Sequence, residues 1–125
     1  MVDVEVVNRS NAKPEVEAAI ALAREVLSGE GINEGELGLT FVGAEEIRSL
    51  KREYLGIDEA TDALAFPIDR RDDLPAGVPR QLGDVVICPD VIRGAWRGPL
   101  IHALLHLVGY DHGEQMEARE RAHTR

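Results

Sequence analysis

The run HALLHLVGYDH, residues 102–112, carries three of the chain's four histidines, at the offsets H-x3-H-x2-G-x2-H. On an α-helix, His102 and His106 lie on one face, about one turn apart. Pro99 suits the first turn of such a helix, and Gly109 can take the left-handed backbone that ends it cheaply, so the spacing predicts a helix over 99–109. The chain then turns through Tyr110 and Asp111 and can bring His112 back to the same point. Three converging neutral imidazoles suit Zn²⁺, one ion per chain, with a fourth position left for water; that is the layout of a catalytic rather than a structural zinc site. The plain alternative is a pair of histidines exposed on, or lining the core side of, an amphipathic helix.

The same offsets occur in the extended zinc-protease pattern H-E-x-x-H-x-x-G-x-x-H. There the residue after the first histidine is glutamate, the general base that takes a proton from water. Here it is Ala103, which accepts no proton. The ligand set of a zinc hydrolase is present and the peptidase base is absent, so peptide hydrolysis by that route is not expected.

Outward from this run the periodicities alternate between strand and helix. VDVEVV (2–7) and LGLTFV (37–42) read as strands, as do ALAFPI (63–68), with Pro67 marking an edge or an end, and GDVVIC (83–88). Val16, Ala19, Ile20, Ala23, Val26 and Leu27 recur at helical spacing within 13–28, before Gly29 and Gly31. Ile47, Leu50 and Tyr54 share a face of a helix over 44–54. Residues 69–81 are rich in Asp, Arg, Gly and Pro and read as a surface loop. A polar helix closes the chain over 113–123, with Met116 turned inward. The class this predicts is α+β: a four-stranded mixed sheet with three to four helices in two layers, the histidine helix crossing the sheet with its imidazoles toward a cleft.

A length of 125 residues fits one domain, 1–125, with a modest core. No apolar run approaches the ~20 residues of a membrane span. The start, MVDVEVVNRS, shows no basic region followed by an apolar stretch, so no secretory signal is expected. Cys88, the one cysteine, excludes an internal disulfide and fits a reducing cytoplasm; its place in VVIC reads as a small core residue rather than a catalytic thiol. The net charge of −9 argues against nucleic-acid binding through bulk charge. The acid is uneven, with 6 basic and 14 acidic residues in 1–67 but 8 and 9 in 68–125. Arg70, Arg71, Arg80, Arg93 and Arg97 either form a local basic patch or are scattered over a solvated surface.

HALLHLVGYDH resembles the signature H-G-x-L-H-L-x-G-Y-D-H of a bacterial rRNA maturation factor family, the YbeY endoribonucleases. YLGIDEATDALAFPID resembles that family's Y-R-G-x-D-x-P-T-D-V-L-S-F-P, and LGDVVICPDV its L-G-D-I-V-I strand. The resemblance implies a zincin-like metal hydrolase fold and a zinc-dependent, single-strand-specific endoribonuclease. Its roles would be maturation of the 3′ end of small-subunit ribosomal RNA and ribosome quality control, with ribosomal RNA and the small subunit as partners. His102, His106 and His112 match the family's metal ligands, and Thr61 and Asp62 would line the substrate cleft. Thr61 and Asp62 read equally well as a helix N-cap or turn pair. The chain also departs from the pattern. Leu55 stands at the family's arginine position, Ala60 and Ala65 replace Pro and Ser, and Ala103 replaces Gly. The connection between Asp90 and His102 is shorter by about three helical turns.

A zinc ion held by three neutral histidines lowers the pKa of bound water to roughly 7 and polarises phosphoryl oxygens. The ligating imidazoles should give their other N–H to a carboxylate or a carbonyl. Asp111 and Asp84 are candidates; the alternatives are a turn residue and a solvent-facing strand residue. Phosphoryl transfer also calls for a cation on the nonbridging oxygens. With Leu55 at the arginine position, Arg52, one turn away, or Lys51 stands nearest, with a solvated surface arginine as the alternative for Arg52. Two other functions stay open: a metal-dependent hydrolase of another ester or amide, and a metal-stabilised ribosome-binding protein without cleavage. Oligomeric state is not legible.

Overall fold

Lys13 precedes Pro14, and a residue before proline is pushed out of helical backbone. The first helix accordingly begins at Val16, the first apolar residue of the helical spacing and three residues inside the expected segment 13–28, with the Val16 N–H bonded to the Pro14 carbonyl. A computed structural model of the chain describes residues 1–56, 62–68, 80–89, 95–110 and 113–124. Among them the order is β1 (Asp3–Asn8), α1 (Val16–Gly29), β2 (Glu36–Phe41), α2 (Ala44–Leu55), β3 (Ala63–Pro67), β4 (Gln81–Ile87), α3 (Arg97–Leu107) and α4 (Glu114–His123). Every expected element is present, with ends moved by up to three residues. β4 starts at Gln81, inside the stretch read as loop. Thr61, Ala60, Asp111, His112, Arg70, Arg71, Arg93 and most of the 69–81 loop lie outside the described residues, as does much of the short connection before α3.

The sheet runs β1-β2-β4-β3. β1, β2 and β4 are parallel, and β3 closes the edge antiparallel to β4. The class is therefore α+β with a four-stranded mixed sheet. A parallel pair needs a crossover, which α1 supplies between β1 and β2.

Two layers were expected, and the sheet instead carries helices on both faces. Leu37, Leu39, Phe41, Val85 and Ile87 meet Leu27, Leu100, Leu104 and Met116 of α1, α3 and α4 in the main core. On the other face Ile47 and Leu50 of α2 pack with Leu64, Phe66, Val86 and Cys88. The cause is legible in β4, whose run Val85, Val86, Ile87 is buried on both sides and so requires cover on both. Tyr54 only partly joins this second cluster: it is largely exposed and meets Phe66 edge-on at 5.3 Å. Beyond α2, the same face of β1 and β2 shows exposed Asp3, Glu5 and Glu36.

Gly83 seats α3. Leu82 is the extra residue of a bulge between β2 and β4, and Gly83 beside it has φ 132°. A Cβ there would collide with the Phe66 carbonyl and approach Leu107 of α3 to 2.9 Å. Glycine thus meets both the backbone requirement and the close approach of the helix. No described helix is long and apolar enough to cross a membrane.

Candidate metal centre

α3 is apolar nearly all round. Leu100, Ile101, Ala103, Leu104, Leu105 and Leu107 are buried, and a helix of that kind belongs in a core. The exceptions are His102 and His106, half-buried, which form the one polar stripe of that stretch. Their rings stand edge to face at 84° with centroids 4.7 Å apart, and the two Nε2 atoms are 3.2 Å from each other.

The end of α3 fixes the second ring. Gly109, at φ 110°, lets its own N–H reach the His106 carbonyl, while the Tyr110 N–H reaches Leu105, the two hydrogen bonds of a Schellman stop. The turn points the Tyr110 carbonyl back at the helix, where it accepts a hydrogen bond from His106 Nδ1 at 2.9 Å. A carbonyl only accepts, so Nδ1 carries the proton, and a neutral ring in that tautomer has its lone pair on Nε2. His102 Nδ1 lies 3.3 Å from the Glu120 carboxylate on α4, which favours the same tautomer in His102. The two Nε2 atoms, 3.2 Å apart, are close enough to share either a proton or a metal ion. Two nitrogens bound to zinc at about 2.0–2.1 Å and a tetrahedral angle would stand about 3.3–3.4 Å apart. The pair fits zinc in spacing, in tautomer and in the partners of its outer nitrogens. His112, the third expected ligand, lies outside the described residues, and no group of three metal-binding side chains occurs among those described.

The other expected residues sit elsewhere. Asp84 does not support a histidine. It alternates with Val85, which faces α3, so its carboxylate emerges on the opposite face beside Gly38, lining an open depression with Thr40, Tyr54 and Phe66. Arg52 and Lys51 belong to α2, the layer across the sheet from the histidines. Asp62 is exposed at the head of β3, where its carboxylate accepts from the Ala63 N–H at 2.7 Å, as a turn residue does. Leu55 ends α2 and is 57% exposed. Ala103 is 3% exposed and faces the core rather than a cleft. Arg97 stacks over Trp96 at 4.5 Å and stands 3.8 Å from Glu15, so it is tied to α1. Cys88 is a buried free thiol, as expected.

Sequence reasoning missed Glu120 and what holds it. Met116, Arg119, Glu120 and His123 fall at i, i+3, i+4 and i+7, one stripe of α4. Met116 is fully buried, so the same stripe carries polar groups into the protein. Glu30, 6% exposed, receives them: Arg119 Nε donates at 2.8 Å, His123 Nε2 meets it at 2.6 Å, and the Tyr110 hydroxyl donates at 2.7 Å. Burial acts to raise the Glu30 pKa, and the bonds from Arg119, His123 and Tyr110 outweigh it, so the carboxyl is held below its ordinary value of 4.5.

Residues 3–124 match the profile of a protein family described as Endoribonuclease YbeY. An endoribonuclease YbeY of Halorhodospira halophila is 40% identical over 124 aligned positions, covering 86% of this chain and 80% of the relative. One of Salinispora tropica is 34% identical over 137 positions, covering 94% and 87%. Those 137 positions exceed the 125 residues of the chain, so that relative has segments without a counterpart here. Among solved structures, the solution structure of TM1509 from Thermotoga maritima superposes with a TM-score of 0.62 at 23% identity, covering 96% of this chain and 85% of the other, a likeness of fold. With the profile spanning nearly its whole length and its relatives so similar, the chain belongs to the endoribonuclease YbeY family.

Proposed function

We propose that this protein is a zinc-dependent endoribonuclease. It cleaves single-stranded RNA in 3′-end maturation of small-subunit ribosomal RNA and in ribosome quality control, acting as one cytoplasmic domain with the small subunit as its partner. The observation that carries the reading is the histidine pair: two Nε2 atoms 3.2 Å apart, each ring with its outer nitrogen turned to an acceptor. His102, His106 and the sequence-matched His112 would hold the ion. When bound, zinc supplies Lewis acidity at a phosphoryl oxygen and acidifies water. The chain's own groups prepare that site. The Tyr110 carbonyl and Glu120 fix ring orientation and tautomer, and the apolar flanks of α3 keep the imidazoles from rotating away. Ala103, buried, leaves the protease base position empty, which favours phosphoester over peptide chemistry. The exposed acids Asp3, Glu5 and Glu36 disfavour RNA on the open sheet face, which leaves the histidine face for it. The packing of α3 beneath the edge strand β3 is in keeping with a zincin-like architecture.

One observation favours a second reading, that of a ribosome-binding protein with impaired cleavage. Leu55, exposed where the family has arginine, offers no charge to a phosphate. Zinc-loaded protein incubated with a single-stranded RNA decides between the two, with His106→Ala as control and casein as the competing substrate. Metal-dependent RNA cleavage that is lost in the control supports the enzyme. Zinc binding without cleavage supports the second reading, and casein hydrolysis overturns both.

A further inference from the structure

Glu30 is in the wrong place for a carboxylate. It is the C-cap of α1, where the helix dipole presents its negative end and an acid is unfavourable. Its side chain is also largely shielded from water, at 6% exposure, where a charge must be paired. Local propensity accounts for neither, and the partners account for both. Arg119 and His123 come from α4, and Tyr110 comes from the turn after α3. Each partner lies next to a group that touches a histidine. Tyr110 gives its hydroxyl to Glu30 and its carbonyl to His106 Nδ1. Arg119 and His123 flank Glu120, whose carboxylate faces His102 Nδ1.

We propose that Glu30 is the positioning residue of the histidine centre. It pins the Tyr110 turn and α4 to the end of α1, so that both imidazoles are held from behind by groups whose place one buried carboxylate sets. This rests on the reading of the histidines as a metal centre. Among the described contacts Glu30 meets Tyr110, Arg119 and His123, so its hold on His102 and His106 runs through the Tyr110 turn and α4. The mechanism is preorganisation: rings already oriented lose less freedom when they take an ion. The C-terminal helix thereby becomes part of the site, although the histidine signature ends before it.

The test uses the full-length chain, stripped of metal, as wild type, Glu30→Gln, Tyr110→Phe and His106→Ala. Zinc affinity is measured by competition with a chromogenic chelator. The melting temperature of each metal-free protein is taken separately, and the exchange of the His106 Nδ1–H proton is followed by NMR. Replacing groups that orient metal-bound histidines costs about 10–100-fold in affinity, and Glu30 acts one step further out, so Glu30→Gln should weaken zinc by about tenfold. Tyr110→Phe, which keeps the ring and the carbonyl, should move affinity in the same direction by less. Both variants should speed exchange of the His106 proton. A merely structural Glu30 would lower the melting temperature and leave the affinity of the folded protein within twofold of wild type, with the His106 proton still protected; that result overturns the proposal. Should Glu30→Gln not fold, Tyr110→Phe carries the same decision. If wild type and His106→Ala both fail to bind zinc, the metal reading falls, and the proton-exchange comparison still decides whether Glu30 positions His106.

Discussion

Ala103→Glu writes the protease motif H-E-x-x-H into α3, and the structure predicts damage rather than a new base. Ala103 is 3% exposed and belongs to the main core with Leu100, Leu104 and Leu107. Three costs add. Forcing a longer side chain into a packed core costs about 1–3 kcal/mol. Desolvating a neutral carboxyl costs about 1–3 kcal/mol. Keeping it neutral at pH 7 costs about 1.36 kcal/mol per pH unit above the glutamate value of ~4.3, or about 3.7 kcal/mol. The sum, roughly 6–10 kcal/mol, is comparable with the total stability expected of a 125-residue chain, roughly 6–19 kcal/mol at about 0.05–0.15 kcal/mol per residue. The variant should be mostly unfolded or strongly destabilised, without peptidase activity. The pH dependence has a defined sign. A carboxyl whose folded pKa is raised binds its proton more tightly in the native state, so its deficit grows as pH rises above the unfolded value. Denaturant unfolding of variant and wild type at about pH 4.5 and pH 7 measures this, and the difference should widen toward pH 7 by up to about 3.4 kcal/mol. A variant within about 1 kcal/mol of wild type at pH 7 would mean that residue 103 faces a cleft, and the packing described for α3 would be wrong.

Gly109→Ala should cost about 1–2 kcal/mol in chemical unfolding, because its φ of 110° disfavours a side chain while the space for a Cβ is open; an unchanged stability would remove the Schellman stop as what aims the Tyr110 carbonyl. Glu120→Gln should lower zinc affinity by about tenfold in a chelator competition, and an unaltered affinity would reduce its contact with His102 to chance proximity. Leu55→Arg should leave the melting temperature unchanged, since the residue is exposed, and should raise single-turnover cleavage by roughly one to two orders of magnitude for a single-stranded RNA long enough to reach from the histidine face to the end of α2; no gain would mean that RNA does not run to α2, that another cation fills the role or that RNA is not the substrate. The folded pKa of Glu30 is lowered, so its contribution to stability is complete above its ordinary value of 4.5 and is lost as pH falls through the folded value. Wild type should therefore lose stability more steeply than Glu30→Gln between about pH 5 and pH 3, and parallel melting curves would contradict the pairing.

The order and type of the elements were readable because strand alternation and helical spacing are local signals. The i, i+4 histidines and the glycine stop were readable for the same reason. The α2 layer was not foreseen, although VVIC, apolar at successive positions, already carried the sign of a strand covered on both faces. Asp84 stayed open between supporting a histidine and facing solvent because a strand places neighbours on opposite faces, and only the register showed which face looks toward α3. Ala103 illustrates the same limit on a helix, where spacing shows which residues share a face but not which face turns to the core. Glu30 lies 72 residues or more from the two histidines and Glu120 lies 18 residues from His102, and only tertiary packing joins them. The stripe Met116, Arg119, Glu120, His123 was the available hint, legible once Met116 is known to be buried.

Metal analysis joined to X-ray absorption on the same sample is the sharpest trial of the histidine centre. Protein as isolated, or reloaded after chelation, should hold one zinc per chain, with imidazole nitrogens at about 2.0–2.1 Å, and His106→Ala should abolish stoichiometric binding. A protein that takes up no zinc, or that holds it equally well without His106, would show that the two Nε2 atoms are paired for some other reason and that the account of the site is wrong.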